Sequence, residues 1–256
     1  MSSQMKLSGL RRRGFLLTAA AGSVVLTSMA DAAKKIHAVA FDGLVILDPR
    51  PIAALVEELY PGRGEEFTAL WRSRQFEYTW LRSMMSRYAD FRQVTEDALV
   101  YTAAALHLEL PRETRSRLVE SYQHLRPWPD VADALRRIKS AGFGLSIVSN
   151  MTASMLLAGL RNGEIDGLFD HVLSTDRVQV YKPHADAYQM SVKAFGIARE
   201  QIVFAAFAGW DTAGAKAFGH PTFWVNRQNQ APEVLGVEAD GTGPTLNDLV
   251  NYLGAV

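Results

Sequence analysis

Hydrophobic positions along the chain fall into two regimes. Short apolar runs bounded by turn-forming or charged letters occur at residues 36–41, 143–148, 171–174, 201–206 and 221–225. Runs of that length and flanking predict buried strands. Between the first two, residues 51–125 instead carry aromatic and aliphatic letters three and four apart, as at Phe76, Trp80, Met84 and Tyr88. That is the period of a helix with one buried face. Beyond Arg126-Pro127-Trp128-Pro129, a helix over 130–140 leads into the second strand, and helical stretches separate the later ones. Such alternation predicts a parallel sheet covered on both faces, an α/β fold. Residues 33–50 and 126–256 are expected to build this core, with 51–125 inserted as a helical cap.

Residues 1–32 stand apart. Arg11, Arg12 and Arg13 precede an apolar stretch from Phe15 to Met29, followed by small residues around Ala30 and Ala32. This layout reads as an export signal, and paired arginines two residues before Phe15-Leu16 resemble the bacterial twin-arginine type. Gly22 and several Ser and Thr interrupt the stretch, which is short of the roughly 20 apolar residues of a spanning helix, so cleavage is preferred to a retained membrane anchor. The expected destination is the periplasm.

The whole chain balances 27 basic against 27 acidic residues. Without residues 1–32 the count is 23 against 26, a net charge of −3. No basic patch concentrates beyond the N-terminus, which argues against a nucleic-acid partner. The absence of cysteine removes disulfides, thiolate nucleophiles and Cys-ligated zinc.

Open parallel sheets bind ligands beyond the carboxyl ends of their strands. The polar residues in those places are Asp42, then Ser149 and Asn150, then Lys182, then Asp211. A carboxylate, two small donors, an ammonium and a second carboxylate are expected to converge at one crevice.

These positions also carry a family pattern. The stretch WRSRQFEYTWLRSMMSRYADFRQVTEDAL from Trp71 to Leu99, the pair Ser149-Asn150, Tyr181-Lys182-Pro183 with Tyr188, and WDTAGAKAFG from Trp210 to Gly219 resemble the haloacid dehalogenase superfamily. Within it they are most similar to the L-2-haloacid dehalogenases, over essentially all of the chain after residue 32. The resemblance implies a Rossmann-like sheet with an inserted helical cap, no metal and no cofactor. It implies a small 2-halocarboxylate substrate, and association into a homodimer through cap helices.

In the implied reaction a carboxylate attacks C2 of the haloacid and expels halide, and water then splits the resulting ester. Asp42 matches the nucleophile and Lys182 the cation that keeps it ionised. Arg72 matches the halide-binding arginine, with Asn150 assisting, and Ser149 matches the group that orients the substrate carboxylate. Phe76, Phe91 and Trp210 match the apolar walls. Asp211 corresponds to the residue handling the hydrolytic water, and Tyr188 to a hydrogen-bonding group near Lys182 or the substrate. Each has a plainer alternative: a strand-end turn for Asp42, a surface side chain for Lys182 or Arg72, core packing for the aromatics, and a helix N-cap for Asp211.

The chain departs from the family in two places. The nucleophile segment reads FDGLVILD, so Leu44, Val45 and Ile46 stand where the family carries tyrosine, glycine and threonine. Ala206, Phe207 and Ala208 replace two serines and an asparagine that fix the hydrolytic water. Each lost hydrogen bond to a charged group is worth roughly 1.5–3 kcal/mol. A phosphatase of the same superfamily is the competing enzyme reading, opposed by Leu44, which occupies the place of that class's second aspartate. A non-catalytic exported protein that binds small carboxylates is a third reading, favoured by the changes at 206–208.

Overall fold

The computed structural model describes residues 35–255. The export segment expected over 1–32 lies outside the described residues. Six strands form one parallel sheet: β1 (Ala38–Phe41), β2 (Gly144–Ser149), β3 (His171–Ser174), β4 (Ile202–Ala206), β5 (Thr222–Val225) and β6 (Gly241–Gly243). Their order is β3-β2-β1-β4-β5-β6. The chain moves outward from β1 through β2 to β3, then returns to β1's other side with β4. The first strand is therefore central, and the crevice where the order reverses opens at its carboxyl end.

Alternation along the strands sorts the core. Val39 and Phe41 of β1, with Val203 and Ala205 of β4, join one buried cluster. Ala38 and Ala40, with Ile202, Phe204 and Ala206, join the other. Side chains of a strand point to opposite faces in turn, so both faces must be covered. Helices α6 (Val131–Ser140) and α10 (Leu246–Leu253) supply residues to the first cluster, and α8 (Ala185–Phe195) and α9 (Gly209–Phe218) to the second. Helix α7 (Ala153–Asn162) joins the first through Met155, Leu156 and Leu160.

Between β1 and β2 the chain is helical. A single turn, α1 (Gly43–Ile46), follows β1 directly, and α2 (Arg50–Leu59), α3 (Gly64–Met84), α4 (Phe91–Ala105) and α5 (Arg112–Glu120) come after it. Trp71 of α3 is 1% exposed and donates from Nε1 to the Thr95 carbonyl at 2.9 Å, fastening α3 to α4. Among the described residues no helix is long and apolar enough to cross a membrane.

Three details differ from the sequence expectation. Helix α3 stops at Met84, and Ser86 takes a left-handed φ of 54°, so Tyr88 lies in the loop and not on the helix face shared by Phe76 and Trp80. Met84, expected on the buried face, is 82% exposed. Strand β6, Gly-Thr-Gly, has no apolar run and exists because its backbone pairs with the open edge of β5.

Candidate active site

The backbone N–H of Asp42 donates to the Ala205 carbonyl at 2.9 Å, so the residue still belongs to the ladder between β1 and β4. The next residue begins α1, and Asp42 is its N-cap, with Oδ2 accepting from the Leu44 N–H at 3.0 Å. Gly43 is required there. A Cβ at this position would meet the Ser149 hydroxyl oxygen at 2.6 Å, closer than a carbon side chain can approach.

Lys182 lies at the centre, 1% exposed. Its ammonium donates to Asp42 Oδ1 at 2.7 Å and to Asp211 Oδ2 at 2.6 Å. Burying a lone ammonium is prohibitive, and two carboxylates make this one tolerable. Burial works against the charge on Lys182, but Asp211 and Asp42 outweigh it and hold the pKa above its ordinary value. Asp211 is 1% exposed, and burial pushes its carboxyl up to about 6, helped by the negative charge of Asp42 and opposed by Lys182. The second hydrogen-bond partner of the Asp211 carboxylate is Tyr188, whose hydroxyl donates to Oδ1 at 2.8 Å. Burial and the adjacent Asp211 raise the Tyr188 phenol well above its usual range, so it stays a donor.

A cavity of about 120 Å³ opens above this network. Its floor is Asp42, Ser149, Asn150, Lys182 and Asp211, and its roof includes Arg72, Gln75 and Phe76 of α3. Phe91, Trp210 and Phe207 add apolar wall. Arg72 forms no ion pair among the described residues, so its guanidinium is left to serve the cavity. The Asn150 Oδ1 accepts from the Lys182 backbone N–H at 3.0 Å, and its buried Nδ2 has no partner among the described residues. A buried donor left unpaired costs free energy that an anion in the cavity can recover. Ser149 Oγ accepts from the Met151 N–H at 3.1 Å.

Nine of the ten residues singled out from sequence, Asp42, Lys182, Asp211, Arg72, Ser149, Asn150, Phe76, Phe91 and Trp210, line this one cavity. Tyr188 does not. It is fully buried behind Asp211, its ring edge-on to Phe204 at 5.2 Å, so it reaches the Lys182 network but no substrate. Asp211 is also not an N-cap: α9 begins at Gly209 after Ala208, and the Asp211 carboxylate turns inward to Lys182 and Tyr188. The aromatic walls contact one another across the crevice, with Phe76 at 5.4 Å and Trp80 at 5.5 Å from the Trp210 ring.

Sequence reasoning passed over Gln75 and Tyr122. Gln75 is buried on the cavity wall and donates from Nε2 to Thr95 Oγ1 at 2.6 Å and to the Tyr122 hydroxyl at 3.1 Å. Its position three residues after Arg72, on the same helical face, was the available signal. Among the described residues no group of three or more His, Asp or Glu side chains comes together as a metal site would require.

Comparison with known proteins places the architecture. The family profile of haloacid dehalogenase-like hydrolases matches residues 17–219. The (S)-2-haloacid dehalogenase of Pseudomonas sp. (strain YL) is 42% identical over 221 residues, covering 84% of this chain and 93% of the relative. The haloacetate dehalogenase H-2 of Moraxella sp. (strain B) is 38% identical, covering 86% and 99%. Among solved structures, the L-2-haloacid dehalogenase of Xanthobacter autotrophicus with chloropropionic acid covalently bound superposes with a TM-score of 0.80 at 33% identity, covering 86% of this chain and 98% of its own. With its parallel sheet, its inserted helices and likenesses that run nearly the full length of these relatives, the chain belongs to the haloacid dehalogenase-like hydrolases and groups with the (S)-2-haloacid dehalogenases.

Proposed function

We propose that the protein hydrolyses short (S)-2-haloacids to (R)-2-hydroxyacids and halide through an ester on Asp42. The observation that carries this reading is the Asp42 carboxylate, ion-paired to a buried Lys182 and facing a small, largely apolar cavity with the Arg72 guanidinium on its wall. An Asp42 oxygen attacks C2 of the substrate, the carbon–halogen bond breaks, and halide leaves with the bonding pair toward Arg72 and Asn150 Nδ2. Water then attacks the ester carbonyl of Asp42 as a base takes one of its protons. The acyl C–O bond breaks, the departing 2-hydroxyacid oxygen receives a proton from that base, and the carboxylate is regenerated; C2 was inverted in the first step. Helices α2 to α5 act as the cap that keeps bulk water from the nucleophile.

Hydrolysis is the slower half-reaction. Ala206, Phe207 and Ala208 offer no side-chain donor or acceptor, and Phe207 and Ala208 place apolar surface on the cavity wall. Water handling therefore falls to Asp211. The test is chloride release from 2-chloropropionate by the purified protein. About one equivalent per protein is expected in a fast burst, followed by a slower steady state in which the Asp42 peptide carries the mass of the ester. Magnesium-dependent cleavage of a phosphate ester without chloride release would support a phosphatase, and carboxylate binding with neither activity a non-catalytic binder.

The raised Asp211 pKa gives this scheme a pH signature. Only the ionised carboxylate accepts a proton from water, so Asp211 loses its role as a base as pH falls through its pKa, which is about 6 while Asp42 is charged and lower once Asp42 is esterified. The steady-state rate is expected to rise with pH along a limb centred below about 6, because the ester removes the Asp42 charge that helps to raise the Asp211 pKa, while the burst amplitude stays constant. Asp211→Asn should lower the steady state and remove that limb. A limb that persists in this variant assigns it to another group.

Export by the twin-arginine route belongs to this reading and is supported by the sequence of residues 1–32. The exposed Leu81, Met84 and Met85 on and beside α3 support association of two copies through the inserted helices.

A further inference from the structure

The turn that carries Asp42 cannot stand alone. Helix α1 has four residues, far below the length at which a helix is stable in water, and nearly all its carbonyls lack partners within it. Gly43 O is taken by the Leu47 N–H at 2.8 Å. The other three carbonyls are held by two residues distant in sequence. Trp128 donates from Nε1 to Leu44 O at 3.0 Å and from its backbone N–H to Ile46 O at 3.0 Å. Arg227 donates from Nη2 to Val45 O at 3.3 Å.

These two residues also hold each other. The Arg227 Cζ lies 4.7 Å from the centroid of the Trp128 ring, and its Nη1 is 3.0 Å from Asp130 Oδ1. The Arg227 side chain is only 7% exposed. Neither residue lines the cavity, although Phe207, which does, packs on Trp128 with ring centroids 6.4 Å apart.

We infer that Trp128 and Arg227 are positioning residues for the displacement step, clamping the carboxyl end of α1 so that Asp42, at its other end, keeps its aim. The inference rests on the dehalogenase reading above. Asp42 serves as both N-cap and nucleophile, and forming the Oδ–C2 bond while the carbon–halogen bond breaks removes the negative charge that anchors the Leu44 N–H. With its cap weakened in mid-reaction, the turn keeps its place through the opposite end.

The experiment measures single-turnover chloride release at saturating 2-chloropropionate for the wild type, Trp128→Phe, Arg227→Met and Arg227→Lys. Trp128→Phe keeps the backbone N–H and an aromatic face for Arg227, and loses the indole N–H together with the five-membered ring. Leu173→Ala, in edge strand β3 and buried in the other core cluster, is the control for lost stability. Trp128→Phe and Arg227→Met are expected to slow release about 10- to 100-fold per folded molecule, with KM within about 2-fold, as a misaimed nucleophile would. Arg227→Lys, which keeps one donor for Val45 O, should lose less than Arg227→Met. Rates equal to wild type, or falling only with the folded fraction as in Leu173→Ala, overturn the inference alone. A wild-type protein that releases no halide overturns the dehalogenase reading and the inference with it.

Discussion

Asp42→Asn is expected to release no chloride from 2-chloropropionate above background, a loss of at least about 10⁴-fold, the scale seen when a covalent nucleophile is removed. The substitution is nearly isosteric. Asparagine is as good an N-cap as aspartate, so its amide oxygen can still accept from the Leu44 N–H and keep α1 in place. What disappears is the ionised oxygen now 2.7 Å from the Lys182 ammonium. The variant should fold but unfold at a lower temperature than wild type, because with its amide oxygen on the Leu44 N–H its NH2 faces the Lys182 ammonium, which keeps Asp211 as its carboxylate partner. Its residue-42 peptide should never acquire the mass of a propionate ester. Chloride release at more than a few per cent of the wild-type rate would place the nucleophile elsewhere.

Lys182→Met carries the second large effect, on activity and stability together. Removing one partner of a buried ion pair costs about 3–5 kcal/mol because the remaining charge is left uncompensated. Here two carboxylates are left facing each other, with side-chain exposures of 13% for Asp42 and 2% for Asp211. The cheapest relief is to bind a proton, which raises their folded-state pKa above the unfolded value of about 4. The folded state then holds more protons than the unfolded one above that pH, and stability falls as pH rises. Urea denaturation should show a larger loss at pH 8 than at pH 5. Chloride release should drop by about 10³-fold or more at either pH, because a carboxylate sharing a proton is a poor nucleophile. Equal destabilisation at both pH values would mean that Lys182 contributes packing and not charge.

The parts of this site that were legible in sequence share a physical origin. Asp42, Ser149, Asn150 and Lys182 follow apolar strands, and a parallel sheet delivers whatever follows its strands to one edge. Arg72, Phe76 and Phe91 needed the family pattern, since a cap helix and a surface helix have the same periodicity. Trp128 and Arg227 were illegible because their partners are backbone carbonyls, which leave no trace in residue identity; 182 positions separate Arg227 from Val45. Asp211 lies where the strand order put it but was also offered as an N-cap, a role it lacks, because α9 starts three residues earlier than its Thr-Ala-Gly run suggests. Strand β6 was missed for a related reason, being made by an edge that needed covering and not by its own sequence.

The contact between Gly43 and Ser149 also bears on how this protein could be redesigned. Since a side chain at 43 would push on the Ser149 hydroxyl, changes beneath the pocket displace the residues that hold Asp42 and Ser149, and room for bulkier acids is better sought in the opposite wall. Diversity in an engineered library is best spent on Thr68, Gln75 and Phe76, leaving the tips of the sheet untouched.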